Sequence, residues 1–401
     1  MPESETPSRR ATRLLLLVPV IVAVVVGAAW ITRDRWERSG PPLAFSGWAP
    51  YWQTLEAYDS FDANAELFGD VSIVAYHATG AGEIAPYERL SVDAIGRFAG
   101  RAQPAEVPLL ATIFDETAAG VMAGVLADPA TRTAHARAIA EIVFVNGFDG
   151  VDLDYEQFAF SDGRDTWDAT RPNWITFLRE LGDLLHARDK LLVVSVPNVE
   201  YTVYDHAAMG AIVDRVRLMA YDFSTSEPGP IAPAEWVREI VDALKQAVPA
   251  EKIDLGIPVY GYDWPTSTSG TCQEEPGRRA VMPSSAAERA TQHGATVMWD
   301  AEAEEARFDY TETFTATDAA GAATTCTVSR TVRYLDDRAL HRRAWIANRA
   351  DLHGVAVWAL GNDEPSVWTA LRIARDGEDE WPGTTNPTAP TTTTIEPPPT
   401  S

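Results

Sequence analysis

The sequence predicts an α/β fold of the (β/α)8 TIM-barrel type, with a small α+β insertion between the seventh and eighth strands. Three observations predict it. Eight short runs rich in β-branched and aromatic residues recur along the chain, at residues 43–49, 71–76, 107–114, 150–155, 191–197, 213–220, 253–260 and 354–360. Amphipathic stretches with helical spacing separate them, the alternation that gives a parallel sheet its crossovers. Eight repeats over about 330 residues is the count for one closed barrel, whose sites lie at the C-terminal ends of its strands.

In chain order, residues 14–31 are eighteen residues without a charge, flanked by Arg9, Arg10 and Arg13 before and by Arg33 and Arg35 after. As a helix they reach about 27 Å, enough to cross a bilayer. A signal peptide ending near Gly27, Ala28 and Ala29 is the other reading, but the run is long for one. Residues 1–40 are therefore expected to hold a cytoplasmic stub and a membrane anchor, with everything after them outside the cytoplasm. Within residues 41–383, Asp128 and Pro129 start a helix that Gly147 stops. Arg171 and Pro172 start another running to Arg188, with Ile175, Leu178, Leu181 and Leu185 on one face. Further helices fit residues 233–247, 337–350 and 365–374. Residues 262–335 interrupt the repeat and read as the insertion, holding both cysteines, Cys272 and Cys326. Outside the cytoplasm that pair is free to oxidise, and a disulfide is expected over two buried thiols. Residues 384–401 are dominated by Thr and Pro, cannot bury a core, and read as a disordered tail.

A formal charge of −25 and a pI near 4.6 leave no basic stripe for phosphates, which argues against nucleic acid and says little about a neutral polysaccharide. The seven histidines are scattered, and no Cys/His spacing matches a zinc site. No metal or organic cofactor is implied.

The stretch from Phe148 to Glu156 carries the chemistry. If it is extended, Asp152, Asp154 and Glu156 share one face while Val151, Leu153 and Tyr155 share the other. Three carboxylates in a row repel one another and lose water when enclosed, so at least one is expected to hold a proton at neutral pH. A fold retains such a cost where protons are transferred. A calcium loop and an exposed acidic edge are the alternatives. The first needs a glycine at its sixth position and polar spacers, and the second does not ask for apolar alternates.

Asp149-x-x-Asp152-x-Asp154-x-Glu156 resembles the acidic signature of glycoside hydrolase family 18, the chitinase-like enzymes. Met219-Ala220-Tyr221-Asp222 is similar to that family's sixth-strand motif, Gly256-Ile257-Pro258-Val259-Tyr260-Gly261 to its seventh strand, and Trp358 to its eighth-strand tryptophan. The start Gly47-Trp48-Ala49-Pro50-Tyr51-Trp52 and the end Trp358-Ala359-Leu360-Gly361 look closest to the branch with bacterial spore and cell-wall lytic enzymes. The resemblance implies a retaining hydrolase acting next to N-acetylglucosamine in chitin-like chains or peptidoglycan glycan. The substrate's own 2-acetamido oxygen is then the nucleophile, through an oxazolinium intermediate. It implies Glu156 as general acid, Asp154 as holder of the acetamido group, and Asp152 behind it sharing a proton and tuning its charge. Tyr221 and Asp222 are implied at the acetamido group and the same sugar, Trp358 as the floor beneath it, and Met219 in the binding surface. Asp149, out of step with the row, is expected as a supporting residue behind it. Trp48, Tyr51, Trp52, Phe158, Phe160 and Trp264 follow strand ends and are candidates for stacking on sugar rings. The alternatives are a non-catalytic glycan-binding protein, in which the acid at the Glu156 position is typically replaced, and a structural envelope protein.

Overall fold

Runs of Val, Ile and Leu without polar alternation bury both faces, which in a parallel sheet means a barrel interior on one side and helices on the other. The computed structural model describes residues 38–382, apart from 39, 81, 91, 318–320 and 380. Its strands are β1 (Ala44–Ala49), β2 (Val71–Thr79), β3 (Glu83–Pro86), β4 (Leu109–Asp115), β5 (Gly150–Asp154), β6 (Leu191–Val196), β7 (Arg215–Met219), β8 (Ile253–Pro258), β9 (Gly261–Gly270), β10 (Arg279–Val281), β11 (Met298–Asp300), β12 (Glu305–Thr317), β13 (Ala323–Tyr334) and β14 (Gly354–Trp358). Strands β1, β2, β4 to β8 and β14 run parallel, and β1 pairs with both β14 and β2, which closes an eight-stranded barrel. These eight coincide with the eight β-rich runs of the sequence. The largest difference is at β2, which continues to Thr79 because its end pairs antiparallel with β3, an edge strand the sequence pattern did not show.

Between the strands lie the expected helices. Asp128 caps Pro129–Asn146 by accepting from the backbone N–H groups of Ala130 and Thr131, and Gly147 ends it. One helix start differs from expectation. The helix expected from Arg171 begins at Trp167 and runs to His186, with Pro172 inside it. Trp167 and Thr170 are buried, so packing draws in a first turn that local signals placed outside, and the bond Pro172 cannot make falls on an exposed face.

The insertion forms a five-stranded antiparallel sheet in the order β10-β9-β13-β12-β11, with the helix Pro283–Gln292 on it. It has a small core of its own, including Val281, Ala286, Phe308, Val332 and Tyr334. Buried Asp263 at its centre is bonded by Arg330, Arg289 and the Tyr310 hydroxyl. Cys272 and Cys326 form a disulfide with a Cα–Cα distance of 4.7 Å. The apolar run 14–31 and the tail 384–401 lie outside the described residues. Among the described residues no helix is long and apolar enough to cross a membrane.

Candidate active site

Strand β5 starts at a residue that has to be glycine. A Cβ on Gly150 would lie 2.4 Å from the Leu191 carbonyl oxygen, so the close approach of β5 and β6 excludes any larger residue. From there the outward row Val151, Leu153 and Tyr155 is fully buried, as the alternation requires. The inward row departs from it. The strand ends at Asp154, and Glu156 has left extended geometry, with φ −110° and ψ −15°, at the head of the single turn Gln157–Phe160. Glu156 therefore reaches the barrel mouth through a turn. That turn is held from below, where Tyr204 donates its hydroxyl to the Tyr155 carbonyl at 2.8 Å and the Tyr155 hydroxyl meets His135 Nε2 at 2.8 Å.

Asp152 is fully buried inside the barrel. Its Oδ2 accepts from Trp48 Nε1 at 2.7 Å, Arg217 Nη1 at 2.7 Å and Thr112 Oγ1 at 3.4 Å, and its Oδ1 accepts from the Ser195 hydroxyl at 2.9 Å. Asp154, expected to share a proton with Asp152, feels the charge of that carboxylate and is also joined to Glu156. Asp152 is surrounded by donors, whereas Asp154 is hydrogen-bonded to Glu156. Burial, and then the charges of Glu156 and Asp152, push the Asp154 pKa well above the usual carboxylate range. Its buried Oδ1 has no hydrogen-bond partner among the described residues. Burial also pushes Glu156 up to about 7; its bond with Asp154 opposes the rise and the charge of Asp222 adds to it.

Facing this pair are the residues just past β7. Gly256 on β8 makes the space for Tyr221, since a Cβ there would lie 2.8 Å from the Leu218 carbonyl oxygen and 3.1 Å from Tyr221 Cε1. Burial and the neighbouring acids raise the Tyr221 pKa far above its usual value, so its hydroxyl remains a donor. Asp222 follows with φ +57°, and its Oδ1 accepts from the hydroxyls of Tyr260 at 2.6 Å and Tyr262 at 2.9 Å. A cleft of about 630 Å³ opens here, lined by Glu156, Met219, Tyr221 and Asp222 together with Phe160, Asn198, Tyr201, Phe223 and Trp236. Trp358 ends β14, half-buried, with its ring 5.9 Å from Trp48 and 6.1 Å from Trp52. Trp52 is 47% exposed and stands edge-on to Tyr51, which stacks on Tyr87 at 3.8 Å.

Four sequence expectations are corrected by this geometry. Trp48 is buried and serves Asp152 rather than a sugar face. Trp264 is buried at the base of the insertion, its Nε1 donating to the Thr225 carbonyl at 2.8 Å. Phe158 is buried against Trp174 and Tyr204. Asp149 lies at the opposite end of β5, about 17 Å of strand from Asp154, accepting from the Leu109 N–H and pairing with Lys190 Nζ at 3.2 Å. It ties the bottom of the barrel and does not support the acid row. Among the cleft residues missed from sequence are Asn198, Tyr201, Phe223 and Trp236. Asn198, Tyr201 and Phe223 follow the C-terminal ends of β6 and β7, so position after a strand was a usable signal for them. Arg217 was also missed, and its place inside the barrel has no local signature.

Comparison with known proteins agrees with this geometry. YdhD of Bacillus subtilis (strain 168) is 30% identical over 320 residues, 75% of this chain and 69% of that protein. The cortical fragment-lytic enzyme of the same organism is 28% identical over 237 residues, 56% of this chain; the chain spans about half (49%) of that relative's length. In structure, a chitinase from Chromobacterium violaceum ATCC 12472 superposes with a TM-score of 0.67 at 23% identity, covering 84% of this chain and 100% of its own, a likeness of fold. Residues 119–363, which contain the acid row, the Tyr221–Asp222 pair and Trp358, match the description Glycosyl hydrolases family 18, and the chain belongs to that family.

Proposed function

We propose that the chain hydrolyses β-1,4 bonds next to N-acetylglucosamine, with retention, by substrate-assisted catalysis. The observation that carries this reading is the buried, unpartnered Oδ1 of Asp154 beside a Glu156 raised to about 7. Glu156 gives its proton to the glycosidic oxygen as the C1–O bond breaks. The acetamido oxygen attacks C1 while Asp154 accepts from the acetamido N–H, and the Tyr221 hydroxyl donates to the acetamido oxygen. Asp222, whose Oδ1 is taken up by two phenols, is poorly placed as a protein nucleophile. Water then opens the oxazolinium ion, giving a proton back to Glu156 and restoring the original anomer.

Both chitin-like chains and the glycan of peptidoglycan carry the required acetamido group. The likeness to a sporulation-specific glycosylase and a cortical fragment-lytic enzyme favours peptidoglycan, and the proposal includes a location outside the cytoplasm with residues 14–31 as anchor. The Cys272–Cys326 disulfide supports that location, since such bonds persist in oxidising compartments. Chitooligosaccharides and purified peptidoglycan assayed side by side with the full chain separate the two substrates. Glu156→Gln is expected to lower kcat about 10²–10⁴-fold while preserving binding. Undiminished release of reducing ends by that variant refutes the assignment of the acid, and an inverted first-formed anomer by NMR refutes the acetamido nucleophile.

A further inference from the structure

The interior of a (β/α)8 barrel is ordinarily packed with branched apolar side chains. Here its centre holds a charge. Arg217, the middle residue of β7, is fully buried and points inward. Its Nη1 donates both to Asp152 Oδ2 at 2.7 Å and to the Ser72 hydroxyl at 2.7 Å, and its Nη2 donates to Asp70. Its Nε lies 3.8 Å from Asp254 Oδ2, and its guanidinium carbon lies 5.2 Å from the centre of the Trp48 ring. One cation is thus set among three buried acids, with Arg215 and His353 at the edge of the cluster, His353 Nδ1 being 2.6 Å from Asp254 Oδ1.

The bonds at Asp152 decide what this cation does. Trp48 Nε1–H and the Arg217 guanidinium can only donate, so Asp152 Oδ2 accepts two obligatory donors and has no place for a proton. The Ser195 and Thr112 hydroxyls complete the shell. On its own strand the next inward residue is Asp154, which has the choice of two carboxylate neighbours, Asp152 below and Glu156 above. We propose that Arg217, assisted by Trp48, is a positioning residue that fixes Asp152 through the obligatory donors on its Oδ2 and thereby leaves Asp154 paired with Glu156, in the orientation that presents it to the acetamido group. The proposal rests on the function proposed above and adds the residue that sets the resting state of the acid row. The direction of the pKa shifts is consistent with it: the surrounding acids overcome burial and raise the Arg217 pKa, so the guanidinium stays charged.

The test is a double-mutant cycle of Arg217→Lys with Asp152→Asn, following kcat on chitooligosaccharides across pH. Lysine keeps the charge and loses the fork, so Asp152 becomes free to compete for Asp154. In the wild-type background kcat is expected to fall about tenfold with KM nearly unchanged. The alkaline limb is expected to move up by about half a pH unit, because Glu156 loses the Asp154 bond that lowers its pKa. In the Asp152→Asn background the same substitution is expected to change kcat by less than about twofold. Equal losses in both backgrounds, or an unmoved alkaline limb, overturn the proposal. A crystal structure of Arg217→Lys reads the placement without activity: Asp154 turned toward Asp152 supports it, and Asp154 still on Glu156 overturns it. Should that variant fail to fold, Trp48→Phe removes the other obligatory donor and leaves the ion pairs in place. The same shift of the alkaline limb is then expected, and its absence sinks the idea. Should the wild-type chain release no reducing ends from any N-acetylglucosamine polymer, the proposed function falls, while the orientation of Asp154 in the variant crystal still decides the role of Arg217.

Discussion

At the scale of single residues, the members of the acid row sit in different surroundings. Asp152 is ringed by donors, Asp154 has a buried oxygen with none, and Glu156 stands at the cleft. Glu156 must be protonated to act as an acid, so kcat/KM is expected to fall as pH rises through about 7, the value set mainly by its burial. A flat profile from pH 6 to pH 9 counts against Glu156 as the acid. The same shift has a stability consequence. The folded Glu156 holds its proton to a higher pH than the unfolded chain does, so stability is lost as pH climbs from the ordinary glutamate range through about 7. Glu156→Gln removes that loss. Its Tm is expected to exceed the wild type's at pH 8, with the advantage narrowing as pH falls toward 5.

At the scale of elements, the loop after β7 matters most, since it carries Tyr221, Asp222 and Phe223 to the cleft. Its far end is pinned by Glu305 at the start of β12. The Glu305 carboxylate accepts from the backbone N–H groups of Ile231 at 3.1 and 3.0 Å and of Ala232 at 2.7 Å, and Arg343 Nη2 stands 3.4 Å away. Arg343 also donates to the carbonyls of Ala232, Ala303 and Glu304. The insertion is therefore bonded to the loop after β7 as well as continuing from β8. Glu305→Ala strands a buried cation and two N–H groups, and a loss of about 3–5 kcal/mol is expected. Thermal denaturation, with limited proteolysis to see whether residues 222–230 become cleavable, is the check. An unchanged Tm would show that Arg343 and its carbonyls hold the loop alone.

At the scale of the whole molecule, the insertion has its own core and its own disulfide, and the acid row lies on the barrel. The Cys272–Cys326 bond closes a separation of 54 residues, and its removal is expected to cost up to about 4 kcal/mol on the chain-entropy model. Cys272→Ser with Cys326→Ser should therefore lower Tm yet leave kcat on short chitooligosaccharides unchanged where the protein is folded. Loss of activity below the new Tm would make the bond part of the catalytic framework.

How much of this was legible beforehand depended on how local the cause was. The eight strands, the helix Pro129–Asn146 and the place of the insertion could be read because apolar periodicity, caps and breakers act within a few residues of themselves. The acids and the tyrosine that the fold gathers at the end of β5 and after β7, Asp154, Glu156, Tyr221 and Asp222, were likewise present as strand-end motifs. Contacts across the barrel decided the rest. Trp48 and Trp264 look like sugar platforms in sequence and are buried donors in the fold, Asp149 sits three positions before β5's first inward acid yet faces the other end, and Arg217 meets its acids only where seven other strands surround it. The sequence by itself determined which elements form and which residue types the site contains. Only the tertiary structure decided which carboxylates burial drives toward the protonated form and which one is ringed by donors, because both depend on residues up to 104 positions away in sequence.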